Sequence, residues 1–163
     1  MQTAMDASPS LLVLAKAESS RGNFPQALSY IDRSLERVKE RFPPKLQEAH
    51  LTRGDILARM GRNDEAEHEF RAEIADFPAD PRAYSSLVML QATEGRLDDG
   101  TKTIFEAIKA SPGPHTYAVV AETLKALGDD RGAMFWVQQG LAHYPQNGEL
   151  RELPGRLAKT RLN

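Results

Sequence analysis

MGRNDEAEHEFRAEIADFPAD, the 21 residues from Met60 to Asp80, has a counterpart 34 residues later in EGRLDDGTKTIFEAIKASPGP, Glu94 to Pro114. The two strings share Gly-Arg at their second and third places, aspartate at the fifth and proline at the nineteenth. Extended along the chain, Gly61 recurs as Gly95 and Gly128, and Pro78 recurs as Pro112 and Pro145. Ala66, Gly100 and Ala133 are small at one shared place. Phe70, Ile104 and Val137 are large and apolar at another, followed by Ile74, Ile108 and Leu141 four residues on. Gly22, Ala27, Ile31 and Leu35 give the pattern once more, with a longer interval closed by Pro43-Pro44.

A second apolar pattern precedes each glycine. Leu11, Leu14 and Ala15 open the first unit, Tyr84, Leu87 and Val88 the third, and Tyr117, Val120, Ala121 and Leu124 the fourth. Spacings of three and four place these residues on one helix face. Asp80-Pro81 reads as an N-cap followed by proline at the first helical position, and Gly113-Pro114 does similar work. Each unit is therefore helix, glycine turn, helix, proline turn. The expectation is a single all-α array over 1–163, with units at 8–46, 47–80, 81–113 and 114–147 and a C-terminal cap at 148–163. In the cap, Leu150, Leu153, Leu157 and Leu162 supply the apolar face. Pro154-Gly155 is expected to interrupt it, so that its continuous helix begins at Pro154.

Composition agrees with a globular chain. Apolar residues make up 40% and charged residues 27%, and 21 basic against 23 acidic residues give a formal charge of −2. No global field steers such a chain to nucleic acid or to an anionic membrane. The absence of cysteine excludes disulfides and thiolate chemistry. The first residues carry Asp6 and no early cation, and the apolar run Leu11 to Ala15 is too short for a signal core or a span. The expected chain is soluble, with the cytoplasm favoured.

A period of 34 on this skeleton resembles the tetratricopeptide repeat. The residues that carry the resemblance are Gly54, Ala15 and Ala121 at the small first-helix site, Tyr84 and Tyr117 at the aromatic one, and Ala27, Ala66 and Ala133 at the small second-helix site. Axes packed about 8–10 Å apart leave no room there for a long side chain. The departures are His50 and Arg53 where large apolar residues are usual, Glu18 and Gln91 at an aromatic or large apolar position, and Gly100 for alanine. The resemblance implies a right-handed superhelical α-solenoid of four helix-turn-helix units plus the cap, whose first helices line a concave groove that takes ligands.

No catalytic constellation competes with that reading. His68-Glu69 begins an HExxH motif, but Ala72 stands where the second ligand belongs, and no two of the four histidines are three or four residues apart. Nucleophile elbows and glycine-rich phosphate loops are absent from the sequence. We therefore expect no enzyme, metal or cofactor, and a protein or peptide as partner. Carried over by position, the groove presents Leu12 and Lys16, then Glu48, Leu51, Asp55 and Arg59, then Arg82, Ser85, Ser86, Met89 and Thr93, and finally His115, Ala118, Val119, Glu122 and Lys125. In this scheme Arg59, Arg82 and Lys125 pair with acidic groups of the ligand and Asp55 and Glu122 with basic ones. Leu51, Met89 and Val119 take an apolar anchor. The clamp by which some family members grip acidic chaperone tails does not fit: its positions hold Leu12, Lys16, Thr52, Arg82 and Ser86, or, one unit on, Leu51, Asp55, Ser86, His115 and Val119.

Two further stretches bear on partners. Met134, Phe135 and Trp136 are adjacent and cannot all face one core, so Phe135 and Trp136 either pack under the C-terminal segment or form a patch for self-association as a homodimer. On that alternative the array is an assembly element appended to a larger, enzymatic protein. ERVKER (Glu36 to Arg41) and EAEHEFRAE (Glu65 to Glu73) read as exposed, salt-bridging faces.

Overall fold

The computed structural model describes residues 8–39 and 45–159. Pro43-Pro44, Arg41 and Leu162 lie outside them. The chain forms two compact units, Met1–Phe77 and Pro78–Asn163. Among the described residues all regular structure is helical. The first unit holds α1 (Ser8–Ser20), α2 (Phe24–Val38), α3 (Ala49–Arg59) and α4 (Asn63–Asp76). The second holds α5 (Pro81–Thr93), α6 (Leu97–Ala110), α7 (Pro114–Ala126), α8 (Asp130–His143) and α9 (Gly148–Lys159). Helices pair in chain order: α1 with α2 and α3 with α4 in the first unit, α5 with α6 and α7 with α8 in the second, where α9 packs on α7 and α8.

Every pair turns in the same way. Gly22, Gly61, Gly95 and Gly128 have φ of +82°, +74°, +76° and +82°. In each case the glycine N–H bonds the carbonyl three residues back, and the next residue's N–H bonds the carbonyl five back, as in Arg62 to Leu57 at 2.9 Å and Arg96 to Gln91 at 2.8 Å. This is the Schellman arrangement, which satisfies two otherwise orphaned helix-end carbonyls and requires a left-handed residue that glycine adopts without strain. The repeated glycine seen in the sequence is therefore a repeated backbone hydrogen-bond pattern. At the opposite ends, Pro81 and Pro114 open α5 and α7, and the Asp80 carboxylate accepts the Arg82 N–H at 3.1 Å. The Tyr84 hydroxyl donates to the Pro78 carbonyl at 3.3 Å, and Tyr144 bonds the Pro112 carbonyl, so both phenols pin a proline turn.

The small sites are where helices touch. Ala15, Ala27, Ala66, Ala121 and Ala133 are all buried. Gly54 is the closest approach: a Cβ added there would lie 2.5 Å from Phe70 Cε1. Above these contacts sit the cores, Leu12, Ile31 and Ile56 among others in the first unit, and Tyr117, Val137, Leu150 and Leu153 in the second.

Two expectations are corrected. EAEHEFRAE is not an exposed face throughout: Glu69 is only 6% exposed and Glu73 is fully buried. The Glu73 carboxylate accepts the Glu48 N–H at 2.6 Å and the Leu51 N–H at 3.1 Å, and so caps the N-terminus of α3 from a neighbouring helix. Glu48 holds a left-handed conformation, φ +68°, at this point. Glu69 accepts from His50 Nδ1 and from Arg53, each at 2.7 Å, while Arg53 also reaches Asp32 at 2.7 Å. The polar residues at usually apolar sites of α3 thus have dedicated partners on α2 and α4. Burial by itself would raise the Glu69 carboxyl, but the His50 hydrogen bond and the Arg53 charge outweigh it and hold it below the ordinary value. The Glu69 hydrogen bond raises His50 above its ordinary value against the opposing effect of burial, with Glu73 and Asp76 adding to the shift.

The second correction is at Pro154. α9 runs unbroken from Gly148 through Pro154 to Lys159. An interior proline costs a helix about 3 kcal/mol. Leu150, Leu153 and Leu157 are all buried on the same face, and at about 1.5–3 kcal/mol each their burial exceeds that cost.

Candidate functional site

In the first unit the first-helix faces belong to α1 and α3. Lys16 ion-pairs with Glu48, which ties α1 to the start of α3. Asp55 is half-buried and Arg59 is exposed at the end of α3. Leu12 and Leu51, expected as part of an apolar seam, are instead buried, and the Leu51 N–H is committed to Glu73. Their side chains belong to the core.

In the second unit α5 and α7 lie side by side. Ser85 Oγ is 2.6 Å from Thr123 Oγ1. Thr123 donates its one hydroxyl hydrogen to the Val119 carbonyl at 2.7 Å, so Ser85 is the donor between the two. This contact fixes one face relative to the other. Met89 is 41% exposed on α5, and Val119 is half-buried on α7. The charged residues around them already have partners. Arg82 Nε bonds Asp80 at 2.9 Å, Lys125 bonds Asp130 at 2.6 Å, and Glu122 pairs with Arg156 of α9. Arg59 alone of the four expected groove cations lacks an ion-pair partner among the described residues. Ala118 is buried, while His115 is exposed and lies 3.1 Å from Glu149.

Phe135 and Trp136 part company. Trp136 is half-buried against Tyr117, and its ring meets Phe105 of α6 edge-on at 5.6 Å and Phe135 edge-on at 5.4 Å. Phe135 is 51% exposed and Phe105 58% exposed. The patch therefore has a third member. Phe105 shares its repeat position with Arg71 and Gln138, and an aromatic residue at a place that is otherwise polar was the sequence signal for it. Arg156, in the C-terminal helix, is the other residue the sequence did not place on a face. Among the described residues no helix is long and apolar enough to cross a membrane.

Residues 51–113 match the family described as Tetratricopeptide repeat. Solved structures share the fold. A crystal structure of MamA aligns at 17% identity with a TM-score of 0.61, over 94% of this chain and 82% of that one. PilW, a type IV pilus biogenesis factor, aligns at 21% identity and 0.60, over 91% and 67%. MamA from Desulfovibrio magneticus RS-1 aligns at 19% and 0.57, over 88% and 79%. At these identities the likeness is one of fold. The family match falls on α3 to α6, which carry tetratricopeptide repeats, and the same glycine-turned helix pair recurs on either side of them, at α1–α2 and α7–α8.

Proposed function

We propose that the chain is a non-catalytic protein-binding module that holds a peptide segment or partner protein on its first-helix faces. The observation that carries this reading is the α5–α7 face of the second unit. It presents Arg82 and the exposed Met89 on α5 and Val119, Glu122 and Lys125 on α7, two helices joined by the Ser85–Thr123 hydrogen bond. Methionine repacks around different apolar side chains at little cost. Among the surrounding charges the Arg82 and Arg156 side chains, 44% and 54% exposed, stay open to a carboxylate on the partner, whereas Lys125 is largely buried against Asp130. In the first unit Lys16, Asp55 and Arg59 offer a polar counterpart face, to which the buried Leu51 contributes no anchor.

The test is affinity capture with the wild-type chain beside Arg82→Glu/Met89→Glu, both on α5 and both outside the core. The expected result is a partner held by the wild type and lost by the variant at unchanged helicity. Equal retention overturns the assignment.

The exposed Phe105–Trp136–Phe135 row favours a second reading, self-association through α6 and α8. Light scattering at high concentration tests it. A dimer that Phe105→Ser/Phe135→Ser converts to monomer supports this reading, and a monomeric wild type removes it.

A further inference from the structure

Beside the first-helix face, the second unit contains a groove of about 520 Å³ among α5, α6 and α7. Val88, Leu97, Gly100, Ile104, Leu124 and Leu127 form its apolar wall, and Asp129, exposed, also lines it. It shares Thr93 with the first-helix face but none of Arg82, Met89 and Val119. Its volume is that of a pocket able to enclose a large apolar group.

Gly100 shows why the groove exists. It stands inside α6, where glycine is a poor choice and where the equivalent places hold Ala66 and Ala133. Packing does not demand it, unlike Gly54: a Cβ at position 100 would meet only Val88 Cγ1 at 3.8 Å and the Val88 carbonyl at 3.9 Å, which is ordinary contact. The missing side chain leaves space that belongs to the groove. At its edge Leu97 is 67% exposed, an apolar side chain directed to no core of its own.

The charge around the groove has one sign left over. Next to the lining residues in the chain stand three cations, and each is held. Arg96 pairs with Glu94 at 2.7 Å, Lys102 with Asp99 at 3.0 Å, and Lys125 with Asp130 at 2.6 Å. Asp98 has no ion-pair partner among the described residues, and the Asp129 carboxylate, the N-cap of α8, accepts the Gly132 N–H at 2.8 Å without an ion-pair partner among them. An apolar slot lined by Asp129, with Asp98 next to the lining Leu97 in the chain and neither carboxylate ion-paired among the described residues, favours an apolar side chain flanked by positive charge.

We propose that this groove is a docking site for a basic partner segment that inserts one aromatic side chain over Gly100, with lysine or arginine beside it facing Asp98 and Asp129. Large aromatic anchors in desolvated pockets carry most of the affinity at such contacts. The site stands whether or not the first-helix face binds a ligand.

The test uses the full chain, labelled with nitrogen-15, and two capped hexapeptides, KKFLKK and EEFLEE. The lysine peptide is expected to shift the amides of Gly100, Thr101, Leu127 and Gly128, and the glutamate peptide to bind at least tenfold more weakly, with the gap narrowing as salt is added. Gly100→Leu, which fills the space, is expected to weaken the lysine peptide at least tenfold. Gly100→Ala keeps the fold, because its Cβ makes only ordinary contacts, and is expected to weaken binding severalfold; it decides the matter should the leucine variant fail to fold. Absence of shifts, equal binding of the two peptides, or wild-type affinity in the glycine variants overturns the proposal. Shifts centred on Ser85, Met89 and Val119 overturn it too, while supporting the first-helix reading.

Discussion

Gly54→Ala and Gly100→Ala make the same chemical change in two helices of the same family of pairs, and the structure gives them different outcomes. Replacing an interior helical glycine by alanine gains about 1 kcal/mol of helix propensity at either site. At Gly100 the new methyl makes only ordinary contact with Val88, so the gain stands and the variant is more stable by up to about 1 kcal/mol. At Gly54 the methyl would lie 2.5 and 2.7 Å from two atoms of the Phe70 ring, where ordinary contact begins at 3.4 Å. Phe70 is a buried core ring and moves only by displacing its neighbours, an overpacking cost of about 1–3 kcal/mol. Propensity cancels when the two variants are compared. Gly54→Ala should therefore be less stable than Gly100→Ala by about 1–3 kcal/mol. Urea unfolding followed by far-ultraviolet circular dichroism measures both against the wild type. An equal gain at the two positions would refute the reasoning, because it would mean that the Gly54–Phe70 approach constrains nothing.

Other consequences follow from the polar cores. Glu73→Gln puts an amide where two backbone N–H groups need acceptors; it should destabilise by about 2–4 kcal/mol in the same urea assay, while Glu65→Gln, which loses only the exposed pair with Arg62, should cost at most about 1 kcal/mol. His50 is raised above its ordinary value of 6.5, so its contribution is complete below that pH and is lost as pH rises through the higher folded value; Glu69, lowered from 4.5, contributes above that value and loses its effect as pH falls through the lower one. Thermal midpoints should therefore decline as pH rises above 6.5 in the wild type, and His50→Gln should flatten that decline. Gln91 is fully buried and accepts from Thr103 at 3.0 Å, while its amide nitrogen has no hydrogen-bond partner among the described residues. Gln91→Leu with Thr103→Val, which removes the unpaired amide together with the hydroxyl it would orphan, should raise stability by about 1 kcal/mol or more, read as a higher urea midpoint.

The repeated glycines and alanines were legible because they answer to backbone geometry, a left-handed turn residue and a close helix approach, which a side-chain type announces directly. Glu69 and Glu73 were misread because the string EAEHEFRAE has the composition of a solvated face. Its spacing said otherwise. Ala66, Glu69, Phe70 and Glu73 occupy one helical stripe, and the same places 34 residues on hold Gly100, Thr103, Ile104 and Ala107, all buried. Weighing position in the repeat above polarity would have placed both carboxylates inside, opposite His50 and Arg53. Leu51 shows the reverse limit: a register position names the helix face, but the depth of a side chain on that face depends on its neighbours. The ion pairs that occupy Arg82, Lys125 and Glu122 were invisible for a related reason, since Asp80 caps α5, Asp130 opens α8 and Arg156 comes from α9, none of them at a place the repeat pattern defines.

The central claim, that a partner is held on the first-helix face of the second unit, is tested most directly by photo-crosslinking. A benzophenone side chain is introduced at Met89, or at Phe105 on the second-helix side, and the captured partner peptides are identified by mass spectrometry. The account predicts adducts to one partner from position 89 and none to that partner from position 105. Adducts to a partner from position 105 with none from position 89 would contradict it and place recognition on the α6–α8 side.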